Sequence, residues 1–354
     1  MTCRSLGQCC WVLVFVVLDG GRVATSAQAQ EQNEGQALRE RLLREAPKAW
    51  EQYAVQSKKL QGRVAMRFSG TSNGVDVKGA NVFHMKRNQR CRLLEASEKR
   101  SRAGQIDYDT LKVFGSNPNY AFELRRRTEG APWVVTQLVN LKREKLPESI
   151  EQYFEMYEED INCLVRLHRD LLLDLIRKPE FRILGCRITP QAGEELLEVS
   201  FAYTHEGGNP VQGGTLVLDP QRFWCLRSYQ VHTQYKSPRA TIKWRFRVLE
   251  LGEAGEGLPV IKRAFQDHEV VFEDGLTNTQ HWQFDYDLTV PQHLPGDEEF
   301  TLSAFGLPEP ADVDWKRPTP WWVYAGVAGA VCLVLGFVLR WLARSRATQR
   351  PTSS

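Results

Sequence analysis

The sequence predicts an α+β protein: one long, curved antiparallel sheet covered by helices, with one C-terminal transmembrane helix. Three observations carry this reading. Five stretches alternate apolar and polar residues with a period of two. Two stretches keep the three-and-four spacing of an amphipathic helix. One run near the end of the chain is uncharged over the length of a bilayer core.

The elements follow in chain order. Arg4, the apolar run "CCWVLVFVVL" from Cys9 to Leu18 and the small-residue site Ala27-Gln28-Ala29 read as an export signal over residues 1–29. Residues 30–305 are then the extracytoplasmic domain. Residues 30–36 are polar and read as a frayed lead-in. From Ala37 to Val55, Leu38, Leu42, Ala46, Ala49, Trp50 and Tyr53 form one helical stripe, with Pro47 predicting a kink.

The period then changes to two. Val64, Met66 and Phe68 share a face, as do Tyr120, Phe122 and Leu124. The same holds for Leu197, Val199, Phe201 and Tyr203, for Ile242, Trp244, Phe246 and Val248, and for Trp282, Phe284, Tyr286 and Leu288. Strands that bury one face and wet the other belong to antiparallel sheets. Turn signals such as "SGTSNG", "HEGGNPVQGG" and "GEAGEG" separate them, and ten to twelve strands are expected. Between Pro147 and Pro179, an apolar stripe from Ile150 to Leu175 predicts one long helix over Glu148–Ile176. A one-sided sheet needs a cover, and these two helices are the covers available.

The end of the chain reads as a proline-rich tether over 306–320, a transmembrane helix over 321–342 and a basic tail over 343–354. Trp321 to Leu339 carries no charge, and Trp321, Trp322, Tyr324 and Trp341 sit at its ends. Arg340, Arg344, Arg346 and Arg350 follow it, whereas acids dominate the preceding flank. By the positive-inside rule the tail is cytoplasmic and the domain lies outside, periplasmic in a two-membrane envelope. The membrane is thus an integral, single-pass partner. The net charge of +3, with both signs interspersed, gives no nucleic-acid footprint.

The order of elements resembles the outer-membrane lipoprotein carrier (LolA-like) fold. The resemblance rests on the 37–55 helix followed by "LQGRVAMRF", on "YAFELRRR" and "PWVVTQLVNL", on the helical insertion from Glu148, and on "GTLVLDPQRFWCLRSYQV". The segments "SNPNYAFEL" and "FTLSAFGLPEP" are similar to those of uncharacterised bacterial secreted proteins with a C-terminal anchor. The resemblance implies a half-barrel with a cavity for acyl chains or another apolar ligand. It carries no catalytic signature.

The candidate lining of that cavity is Phe68, Phe122, Trp133, Phe201, Trp244, Trp282 and Phe284. A second candidate is a basic patch for acidic lipid head groups. Arg125, Arg126 and Arg127 end one strand, Lys142, Arg143 and Lys145 follow the next, and a hairpin is expected to bring the two clusters to one sheet end. Asp285 and Asp287 flank Tyr286 on one strand face, and Glu158, Glu159 and Asp160 read as a solvated helix face. The seven histidines show no metal-ligand spacing, and no catalytic set, metal site or cofactor is expected. Cys91, Cys163, Cys186 and Cys225 leave three disulfide pairings or free thiols open. The expected function is non-enzymatic: an anchored extracytoplasmic domain that holds a lipid or lipoprotein-like ligand as envelope sensor or local hand-off factor. The alternative is a structural or assembly module of the cell envelope.

Overall fold

The computed structural model describes residues 9–311, apart from 73, 169, 192, 204–210 and 237–238, together with 324–326 and 328–336. The chain divides into a unit ending at Pro308 and a second unit from Glu309. In the second unit the described residues 324–326 and 328–336 are helical, and the rest of the expected 321–342 span lies outside the described residues. Among the described residues no helix is long and apolar enough to cross a membrane.

The first unit opens with helix α1 (Cys9–Ser57). It is longer than the predicted 37–55 segment, because the Ala-, Gln- and Glu-rich stretch before Ala37 favours helix rather than fraying. Pro47 stays inside it, in a turn that carries exposed Leu43 and Arg44. Then come β1 (Gln61–Ser72), β2 (Val75–Arg87), β3 (Arg92–Arg102), β4 (Gln105–Ser116), β5 (Tyr120–Arg126) and β6 (Val134–Asn140). A connection follows with α2 (Glu148–Ile161), the two-residue strands β7 (Arg166–Leu167) and β8 (Asp170–Leu171), and α3 (Leu172–Arg177). The return wing is β9 (Phe181–Gln191), β10 (Glu194–Tyr203), β11 (Val211–Asp219), β12 (Cys225–Lys236), β13 (Arg239–Ala254), β14 (Leu258–Phe272) and β15 (Thr277–Thr289).

Thirteen strands form one sheet in the order β6-β5-β4-β3-β2-β1-β15-β14-β13-β12-β11-β10-β9. The pairings are antiparallel throughout. The sheet is open, with β6 and β9 at its edges. The chain runs outward from β1 to one edge, crosses between β6 and β9, and returns inward to β15.

The crossing segment and α1 cover one face, here called the inner face. α1 contributes Leu42, Ala46, Trp50 and Tyr53, and α2 contributes Ile150, Phe154, Tyr157 and Ile161, all buried against inward residues of both wings. The predicted helix over Glu148–Ile176 is broken. Asn162 ends α2 by turning its side chain onto the Glu158 carbonyl at 2.8 Å, and His168 takes a left-handed φ of 57° in the β7–β8 turn. The apolar stripe nevertheless continues through Leu164, Leu167, Leu172 and Leu175, because each piece turns its apolar side to the same sheet.

Polar contacts fix this cover. Trp50 Nε1 donates to the Trp224 carbonyl at 2.9 Å. Tyr157 Oη donates to the Gly62 carbonyl at 2.9 Å. Arg87, at the end of β2, donates to the carbonyls of Ser57 at 3.0 Å and Leu60 at 2.5 Å, which places a cation on the C-terminal end of α1. It also faces Glu158 of α2 at 3.7 Å.

The outer face of one wing has a smaller core of its own. Residues 297–305 lie over it as a strap. Asn117 Nδ2 donates to the Phe300 carbonyl at 3.0 Å, and Tyr120 Oη accepts from the Leu302 amide at 3.1 Å. Lys86 pairs with Glu299 and Arg90 with Asp297.

Arg87→Ala leaves two buried carbonyls without their donor and is expected to cost ~2–4 kcal/mol in urea denaturation. Glu158→Gln removes only a partly solvated partner, and a cost below ~1 kcal/mol is expected. Equal costs would show that the ion pair, not the capping, matters.

Candidate functional site

The inner face of β15 carries a ladder of rings, since residues two apart on a strand share a face. Trp282 and Phe284 stack at 6.4 Å, and Phe284 and Tyr286 at 6.2 Å. Phe68 of β1 stands opposite Trp282 and stacks on it at 4.7 Å. Its ring needs Gly79 on β2, where a Cβ would come within 2.3 Å of Phe68. On the other side, Trp244 of β13 meets His268 of β14 edge to face at 4.6 Å and His168 at 5.1 Å.

Burial changes along these strands. Val64, Met66, Phe284, Tyr286 and Leu288 are buried beneath the helices. Phe68, Trp282, Trp244 and His268 are half-buried. The aromatic platform therefore begins where the helical cover stops. Two of its nitrogens, Trp282 Nε1 and His268 Nδ1, are inaccessible to water and have no hydrogen-bond partner. Trp244 Nε1 donates to Thr233 Oγ1 at 3.2 Å. Burial holds the His268 pKa below the ordinary histidine value, against the raising influence of Gln280 and Asp267. The imidazole is thus neutral near pH 7.

Four of the seven expected lining residues, Phe68, Trp244, Trp282 and Phe284, come together here. Phe201 is buried on the β10 flank and stacks on Phe181 at 4.9 Å. Phe122 and Trp133 do not line the inner face. Phe114 points inward to Tyr153. Its cross-strand partner is Glu123, which puts Phe122 on the opposite face. There Phe122 and Trp133 pack on Phe305 of the strap at 6.1 and 5.8 Å. Their alternation pattern was legible, but the strap that fills the outer face was not.

The expected basic patch is divided. Arg125 pairs with Val134 and Tyr120 with Asn140. In an antiparallel hairpin the end of the first strand lies beside the start of the second. Arg125, Arg126 and Arg127 are therefore at one end of β6, and Lys142, Arg143 and Lys145 are at the other, roughly 20 Å away at the strand rise per residue. Asp285, one of the paired acids, is held by Arg67 at 2.7 Å and Arg263 at 3.3 Å. On the outer face, an open groove of about 340 Å3 lies between Thr215, Gln230, Arg245 and Phe265, with a lining that is polar and apolar in similar measure.

Sequence reasoning missed a polar cluster under the cover. Cys163 Sγ lies 3.6 Å from Tyr286 Oη, and Tyr53 Oη is buried without a partner. Cys91, Cys163, Cys186 and Cys225 are all free thiols. Burial pushes the Cys163 thiol up to about 12, outweighing its Tyr286 hydrogen bond. Within the acidic run, Glu158 faces Arg87 and Glu159 pairs with Arg166 at 3.2 Å. Asp160 does neither: it is half-buried, and desolvation, then Glu159, raises its pKa to about 7. Among the described residues no group of three or more His, Cys, Asp or Glu side chains is placed to hold a metal ion.

No protein-family model matches the chain, and no curated protein matches it. A crystal structure of a DUF1329 family protein from Desulfovibrio piger ATCC 29098 is similar at a TM-score of 0.31 and 9% identity, over 73% of this chain and 98% of that one. A conserved protein of unknown function with a hot dog fold from Alicyclobacillus acidocaldarius aligns at a TM-score of 0.11 and 9% identity, over 64% of this chain and 78% of that one. At these scores neither likeness carries an argument about function.

Asp160 gives a pH test. Well below the unfolded pKa of about 4 the carboxyl is protonated folded and unfolded, so it costs nothing. As pH rises toward about 7, the unfolded state ionises first and the folded state loses stability. Asp160→Asn is expected to stabilise the chain by ~1–3 kcal/mol near pH 8 and far less near pH 4 in urea denaturation. The same difference at both pH values would refute the assignment.

Proposed function

We propose that this chain is a non-enzymatic, membrane-anchored extracytoplasmic binding protein. It holds a lipid or lipoprotein-like apolar ligand on the platform formed by Phe68, Trp244, Trp282 and His268, as an envelope sensor or local hand-off factor. The observation that carries this reading is the platform itself: half-buried rings continuous with the dry core, outside the helical cover, with two unpartnered nitrogens. Apolar surface left beside a packed core favours an apolar ligand. The resemblance to the LolA-like half-barrel supports the same ligand class. Anchoring rests on the uncharged run from Trp321 to Leu339 and the arginines after it.

A second reading, the structural or assembly module, is favoured by one observation. The centre of the inner face is filled, with Tyr53, Ile150, Phe154 and Tyr157 all at 0% exposure. A ligand is thus confined to the platform and does not thread beneath α1 and α2.

The test is to purify the full chain, extract it and analyse the extract for bound lipid by mass spectrometry, then to titrate a fluorescent fatty acid. Phe68→Ala with Trp282→Ala is expected to weaken binding at least about tenfold, given ~2 kcal/mol or more of lost apolar burial. Trp133→Ala, on the other face, is expected to leave it unchanged. A chain that carries no lipid and ignores the added fatty acid would overturn the ligand reading and leave the assembly module.

A further inference from the structure

The two edges of the sheet are treated differently. Along β9, α1 comes close: a Cβ on Gly35 would lie 3.2 Å from the Cys186 carbonyl oxygen. Pro190 also sits near the end of that strand, and prolines and covering helices are how edges are kept from pairing. β6 has neither. Its sequence is "VVTQLVN", with no charge and no proline. Val134, Val135 and Leu138 are 59%, 39% and 44% exposed, so apolar side chains stand free on both faces of the strand. Among the described residues its outer row of backbone groups has no neighbouring strand.

The charges around this edge are arranged at its two ends. Arg125 is held by Glu123, and Arg126 lies over the Trp133 ring at 4.3 Å. Arg127 is exposed just beyond Arg126, and Lys142, Arg143 and Lys145 are exposed beyond the other end. With Glu129 and Glu144 included, each end stays net positive.

We propose that the free edge of β6 accepts an extended segment of another protein as an added strand, apolar at its centre and acidic at both ends. The added backbone completes the edge's hydrogen bonds, and the acids meet the two basic ends. A second copy of this chain is a poor occupant, because pairing β6 with β6 in either direction sets basic ends against basic ends. A lipid surface is also a poor occupant, since hydrocarbon leaves the edge N–H and C=O groups unpaired. The inference is independent of the apolar-ligand reading, which concerns the inner face about the β1–β15 seam rather than the β6 edge.

The test uses the full chain and a fluorescein-labelled peptide, Asp-Asp-Thr-Val-Thr-Val-Thr-Val-Asp-Asp, followed by anisotropy. The same peptide with lysine in place of aspartate is expected to bind at least about tenfold more weakly. Lys142→Glu, Arg143→Glu and Lys145→Glu together are expected to remove that preference, and they change only exposed side chains. Amide exchange over residues 134–140 is expected to slow when the acidic peptide binds. Equal binding of the two peptides, or unchanged exchange at β6, would overturn the proposal. So would slowed exchange there that comes from dimerisation of the chain alone, or from phosphatidylglycerol vesicles without peptide.

Discussion

The structure depends on the pairing of its first and last strands. β1 and β15 run side by side from Gln61 opposite Thr289 to Gly70 opposite Gln280. Every other neighbour in the thirteen-stranded sheet is sequential, and loop closure over a few residues makes such pairs inexpensive. This seam joins segments more than two hundred residues apart and unites two wings into one sheet. Gly62 shows how close the two backbones come, since a Cβ there would lie 2.1 Å from the Asp287 carbonyl oxygen. Tyr157 hydrogen-bonds the carbonyl of the same Gly62, so the seam and the cover are locked at one residue.

The seam also dictates the cover. A chain that leaves the centre on one wing and must return from the far edge of the other has to cross the sheet. The crossing segment carries α2 and α3, and it meets α1 over the inner face. Arg87 ties the end of α1 to the start of β1 and faces α2. Trp50 ties α1 to the β11–β12 turn, where Phe223 and Trp224 both hold left-handed φ angles. Such angles are costly for bulky side chains. Here the strained turn is held by Tyr53 against Phe223 and by Asp219, which accepts from the Gln221 amide.

The inward faces of β1, β10, β13 and β15 were legible because each alternates cleanly. The strands β2, β3 and β14 were not singled out. Their inner positions mix polar residues and glycine with apolar ones, as at Gly79 and Asn81 in β2, Glu98 in β3, and Gln266 and His268 in β14, so no period stands out. For the same reason His268 could not be placed beside Trp244, although that contact organises the platform. The break in the Glu148–Ile176 helix leaves no mark on the pattern, because burial toward one sheet imposes the same stripe on a helix, a turn and a second helix. Both basic clusters are visible in the sequence, but an antiparallel hairpin sends them to opposite ends of β6. Phe122 and Trp133 satisfy the same alternation as Phe68 and Trp282. Only the strap over the outer face separates a second core from a ligand platform.

That strap clarifies why the β6 edge stays open while the face beside it is dry. Burying a face requires only apolar side chains, and they can arrive from any backbone conformation. Phe300, Leu302 and Phe305 supply them from short 3-10 turns. Completing an edge requires a row of backbone donors and acceptors at strand spacing, and such turns use their own amides internally. The Gly306 amide, for instance, closes the last turn onto Ser303. The strap can therefore bury Phe122, half-cover Trp133 and still leave the outer edge of β6 without a strand among the described residues. Only an extended segment has the backbone to finish it.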